Sequence, residues 1–95
     1  GPEYWWIEVG AFYDRFGEAK IPVLASPDPT VQALVRDTQV RKYIDLQRPD
    51  VQQFVEFLGT VIPEVTPEIR EVVLGRTTDA ERHVKGLPQP VEAEE

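Results

Sequence analysis

Apolar residues recur at helical spacing through most of this chain, and the pattern predicts an all-α fold of four to five short helices in one small domain. Val9, Phe12, Tyr13, Phe16 and Ala19 form one face of a helix from about residue 8 to 20, leaving Glu8, Asp14, Arg15 and Glu18 for solvent. Gly10 and Gly17 weaken it by up to ~1 kcal/mol each relative to alanine, so packing must supply the difference. A second helix carries Val31, Leu34, Val35 and Thr38 on one side, but Val40, Tyr43 and Ile44 fall on roughly the opposite side. Either one long helix has two contact faces or a kink, or it breaks and restarts with Asp37 or Thr38 as a new cap. In both readings Tyr43 and Ile44 belong to a core helix.

The third helix, about 50–62, aligns Val51, Phe54, Val55, Leu58, Val61 and Ile62, with Phe57 to one side. A fourth, 67–74, turns Ile69, Val72 and Val73 inward and stops at Gly75. A fifth short piece begins at "TDAERHV", where Thr78 and Glu81 have capping-box spacing and Glu81 stands four residues before Lys85.

Three helix starts share one grammar. Asp28 caps before Pro29, Asp50 caps in "RPDVQQFV", and Thr66 caps before Pro67, with Glu68 favourable to the helix dipole. Their unequal spacing argues against an internal repeat. The expected core is Phe12, Phe16, Leu34, Val35, Tyr43, Ile44, Phe54, Val55, Leu58, Ile69 and Val72. "YWWIEV", residues 4–9, reads as a short strand or an extended N-terminal aromatic arm. Gly1-Pro2 matches the scar of a cleaved purification tag, so residues 1–3 are set aside as a disordered start; 4–85 form the helical domain. From residue 86 to 95, two prolines and three glutamates predict a mobile acidic C-terminal tail.

Composition narrows the options. At 41% hydrophobic and 28% charged the chain is apolar enough to fold. It has no cysteine, which removes disulfides, thiolate metal sites and a cysteine nucleophile. No apolar run reaches the roughly 20 residues that span a bilayer, and no basic-then-apolar leader opens the sequence, so a soluble intracellular or virion-associated protein is expected, without membrane insertion. A net charge of −7 disfavours generic binding to a phosphate backbone, and no nucleic acid partner is expected.

The catalytic inventory is thin. His83 is the one histidine and Ser26 the one serine, and Ser26 lies in a turn before Pro27, outside any G-x-S-x-G motif. A helix-start serine and a solvated histidine account for them more simply than a catalytic pair. Glu64, Glu68 and Glu71 suit a helix start, and Glu92, Glu94 and Glu95 suit a solvated tail. They lack the D-x-D-x-D-G spacing of a calcium loop. "VGAFYDRFG" matches neither dinucleotide nor phosphate-loop glycine patterns. The expectation is a protein that is not an enzyme, with no catalytic residue, cofactor or metal.

Two features point instead to contacts. Tyr4, Trp5 and Trp6 are consecutive and cannot all face one small core. Arg36, Arg41, Lys42 and Arg48 form a basic island in an acidic chain, interrupted by Asp37 and Asp45. Trp5, Trp6, Arg41, Lys42 and Arg48 are therefore the candidate partner-binding residues, against the blander readings of a folded-back arm and a solvated helix face.

Three segments, "VGAFYDRFGEAK", "VRKYIDLQRPDV" and "TTDAERHVKGLP", resemble small proteins encoded in the tail and late structural gene clusters of tailed bacteriophages and prophages. The resemblance runs from Tyr4 to Pro88 in the same order and carries no functional residues with it. It implies a phage context, with a structural, assembly or host-interaction role. The leading expectation is a tail-associated structural or assembly protein that contacts another phage structural protein or itself as a homo-oligomer, in the host cytoplasm during assembly and in the virion. The alternative is an acidic phage inhibitor that occupies a basic groove of a host enzyme.

Overall fold

A computed structural model describes residues 2–82, and these are mostly helical. Six α-helices occur among them: α1 (Val9–Asp14), α2 (Lys20–Leu24), α3 (Pro29–Gln39), α4 (Pro49–Val61), α5 (Pro67–Val73) and α6 (Asp79–Arg82). Two short strands, β1 (Trp6–Ile7) and β2 (Ile44–Asp45), pair antiparallel in a small sheet, and Pro2–Trp5 and Gly17–Ala19 are 3-10 turns. His83, Lys85 and the expected acidic tail lie outside the described residues.

The expected helix over 8–20 is present as a face but not as one element. Phe12, Tyr13, Phe16 and Ala19 are all buried. The chain nevertheless leaves α1 at Asp14 and turns at Gly17, whose φ of +55° lies in the left-handed region that glycine enters at little cost. Pro22 then sits in the first turn of α2, where its missing N–H is not needed. Around this bend the aromatics interlock: Phe12 lies 5.5 Å from Phe16 edge-on and 6.5 Å from Phe54 stacked. These spacings favour aromatic pairs.

Helices α3 and α5 start as their sequences dictate. One Asp28 carboxylate oxygen accepts from Thr30 N and Val31 N, each at 2.9 Å, and Thr66 Oγ1 accepts from Ile69 N at 3.2 Å. Helix α4 differs from expectation. Pro49 takes the first helical position, which makes Arg48 the flanking residue, with extended φ −67° and ψ 133°; Asp50 is inside the first turn and caps nothing.

The phase change in the second helix marks its end. Chain leaves α3 after Gln39, Tyr43 lies between elements, and Ile44 enters β2, so neither belongs to a helix. Trp6 opposes Asp45 and Ile7 opposes Ile44, and Leu46 N donates to Trp5 O at 2.8 Å to extend the ladder. Alternation puts Ile7, Ile44 and Leu46 inside, all essentially buried, and leaves Trp6, Tyr43 and Asp45 on the outer face. In α5 the inward stripe is Ile69 and Val73; Val72, expected in the core, is 60% exposed, because so short a helix can present only one narrow face. Leu34, Tyr43 and Ile69 are half-buried, whereas the remaining seven expected core residues are buried.

The N-terminal aromatics are not a free arm. Thr77 donates to Tyr4 O through both its N–H (3.0 Å) and its hydroxyl (2.7 Å). The Arg76 and Arg82 guanidiniums lie 4.2 and 4.7 Å from the Tyr4 ring centroid, within cation–π range. Trp5 packs against the core.

Arg15 joins the first helix to the last. Its side chain is 8% exposed, and all five of its N–H donors find acceptors. Nε and Nη2 hold the Glu81 carboxylate at 2.9 and 2.7 Å; Nη1 donates to Val73 O (2.8 Å) and Gly75 O (2.6 Å), and Nη2 also to Arg76 O (3.0 Å). Glu81 closes the expected capping box as well, accepting from Thr78 N at 2.8 Å while its own N–H donates to Thr78 Oγ1 at 3.3 Å. The hydrogen bonds from Arg15, above all, hold the Glu81 carboxyl at about 2, against an ordinary 4.5.

A carboxyl depressed in the folded state stabilises fully above its unfolded pKa and loses that contribution as pH falls through its folded one. The chain should therefore lose on the order of 2 kcal/mol between about pH 5 and pH 2 from this group. Glu81→Gln should flatten that part of a urea-denaturation pH profile. Arg15→Ala, which strands Glu81 and three carbonyls, should cost about 3 kcal/mol at neutral pH.

Candidate functional site

The last turn of α3, the outer edge of β2 and the first turns of α4 meet at one corner. The turn between β2 and α4 is set by Asp45, whose side chain accepts from Gln47 N at 2.9 Å and whose carbonyl accepts from Arg48 N at 3.1 Å, an Asx-type turn. Pro49 then fixes where α4 begins. Between the two helices lies a cleft of about 90 Å³ with an apolar floor of Leu34, Ile44, Val51 and Phe54.

Its rim is charged. Arg41 reaches back one turn to Asp37, at 3.1 and 3.3 Å, and Arg48 grips Asp50 at 3.1 and 2.8 Å. Asp37 raises the Arg41 pKa by accepting these bonds. Both pairs are exposed, so they orient the guanidiniums more than they stabilise the fold. Lys42 continues the rim beside Tyr43, whose ring centroid lies 5.1 Å from that of Trp6.

Beneath the cleft, α3 is clipped to α1. Thr38 Oγ1 donates its one proton to Val35 O at 2.6 Å, so the 2.6 Å contact with Tyr13 is donated by the Tyr13 hydroxyl. Burial raises the Tyr13 pKa above its ordinary 10.0.

Four of the five residues singled out from the sequence, Trp6, Arg41, Lys42 and Arg48, gather at this corner. Trp5 does not; it faces the core. Arg36 is exposed on α3 outside the cleft lining. Sequence reasoning missed Val40 and Tyr43 by assigning them to a helix interior. Val40 is 83% exposed, and Tyr43 lies on the outer face of the sheet. The signal was present in the phase change at Val40, which marked the end of the helix. Ser26 is buried, with Oγ accepting from Asp28 N at 3.2 Å, and so serves the turn before α3. Its conceivable partner His83 lies outside the described residues. Among the described residues, no three His, Asp or Glu side chains gather in a way that would hold a metal, and no helix is long and apolar enough to cross a membrane.

Comparison with protein-family models, curated proteins and solved structures gives no match.

Tyr13→Phe should cost about 1 kcal/mol at neutral pH through the lost hydrogen bond. Because the raised pKa makes the folded state hold the phenol proton more tightly, stability from Tyr13 is full below about pH 10 and falls above it. Thermal melts of wild type and variant should therefore converge as pH rises past that point.

Proposed function

We propose that this chain is a non-enzymatic contact protein of a tailed phage, serving a structural or assembly role at the tail, and that it meets its partner at the corner between α3 and α4. The observation that carries this reading is the convergence of two features that are separate in sequence. Trp6 comes from the N-terminal aromatic run and Arg41, Lys42 and Arg48 from the basic island, and Tyr43 joins them into one surface. Tyrosine and arginine around an apolar depression, with a tryptophan packed against that tyrosine, form the composition that concentrates binding energy at protein interfaces. The likeness of three segments to tail-cluster proteins supports the phage setting.

Particles purified from a phage encoding this chain should contain it, and Lys42→Glu with Arg48→Glu should lower its incorporation while leaving the thermal melt unchanged. Particles that lack the chain, together with normal assembly after its deletion, would overturn the reading. Salt-sensitive capture of a host nucleic-acid enzyme would instead favour the acidic inhibitor suggested by the net charge of −7.

A further inference from the structure

The two sides of the corner have opposite shapes. Val40, the residue after α3, projects at 83% exposure from a rim whose Arg41, Tyr43, Asp45 and Arg48 also line the cleft of about 90 Å³ that opens onto Leu34, Val51 and Phe54. A solitary exposed valine is ordinary. One that adjoins an apolar hole gives a single patch both a knob and a socket. A two-fold axis through such a patch seats each copy's knob in the other's socket, the self-complementary arrangement of an isologous interface.

The charges point the same way. Asp37, Asp45 and Asp50 stand around the corner against Arg41, Lys42 and Arg48, a balanced set on a chain of net charge −7. A uniformly acidic or basic partner would leave one of these sets facing like charge. A second copy presents both signs, so the arginines of one copy meet aspartates of the other. The Arg41–Asp37 and Arg48–Asp50 pairs are solvent-exposed, so re-pairing them between copies costs little.

We propose that this chain forms a two-fold homodimer across the corner, with Val40 of each copy seated in the cleft of the other. The proposal rests on the reading of the corner as a contact surface and names the occupant as a second copy.

Sedimentation velocity from about 1 μM to about 1 mM should show a concentration-dependent dimer. Val40→Asp should weaken it at least about tenfold, with a thermal melt unchanged at concentrations low enough for the wild type to be monomeric, because the side chain is exposed in the monomer. The chain contains no cysteine, so engineered thiols give a clean second readout. Val40→Cys in one tagged copy and Val51→Cys in another should cross-link on oxidation, whereas Val40→Cys mixed with Val72→Cys, exposed on α5, should not. A monomer throughout the range, a dimer indifferent to Val40→Asp, or equal cross-linking to both positions would overturn the dimer. If the dimer fails while the Lys42→Glu, Arg48→Glu variant still loses incorporation into particles, the contact surface stands with a different occupant. If both fail, the contact reading falls with it.

Discussion

The Arg15 guanidinium is the constraint on which the arrangement of the rest depends. Helix α5 ends with carbonyls that have no helical partner, and the chain then turns back towards α1. Arg15 answers both problems with one side chain: it fills the carbonyls of Val73, Gly75 and Arg76 and holds Glu81, which in turn organises α6. A positive charge at the negative end of α5 is also favourable to that helix's dipole. With 8% of the side chain exposed, the desolvation cost is large, and it is met because no donor is left over. The segment that carries Thr77, Arg76 and Arg82 onto Tyr4 is placed by this anchor, and β1 is held between that segment and β2.

Much of this is legible in the sequence. The apolar stripes in α1, α3 and α4, the caps at Asp28 and Thr66, and the Thr78–Glu81 box all follow from local rules, and local rules are what a sequence states directly. The failures share a different cause. Continuity from 8 to 20 was overread because Gly17 counted as a weak helix residue, whereas its value lies in a left-handed turn. Tyr43 and Ile44 read as helical because the period change suggests a second face, a kink or a restarted helix, whereas it marks an exit into a strand. The partnership of Arg15 with Glu81 spans 66 positions, and nothing in the periodicity of either neighbourhood signals the other.

The candidate corner shows the same division. Arg41, Lys42 and Arg48 stood out as a charge anomaly, and Trp6 as a surplus aromatic, so the ingredients were visible one by one. Their adjacency depends on a two-residue sheet whose register sets Trp6 against Asp45, and two residues of strand leave almost no alternating pattern to read. The apolar cleft was invisible for the complementary reason. Leu34, Val51 and Phe54 look like ordinary core positions, and only the abrupt end of α3 leaves a gap above them.

The bond from Thr77 to Tyr4 bridges 73 positions, and it bears on how the protein is made. Helices such as α3 and α4 contain their own hydrogen bonds and form within microseconds once their residues are available. The N-terminal strand lacks that independence: one neighbour is β2, and its clamp is built from residues 76–82. During synthesis, at roughly 5–20 residues per second, Tyr4, Trp5 and Trp6 therefore spend several seconds outside the ribosome before Arg76 and Arg82 can reach them. Through that interval the most aromatic stretch of the chain is uncovered, which makes the nascent protein, more than the finished one, the form most exposed to aggregation and to chaperones.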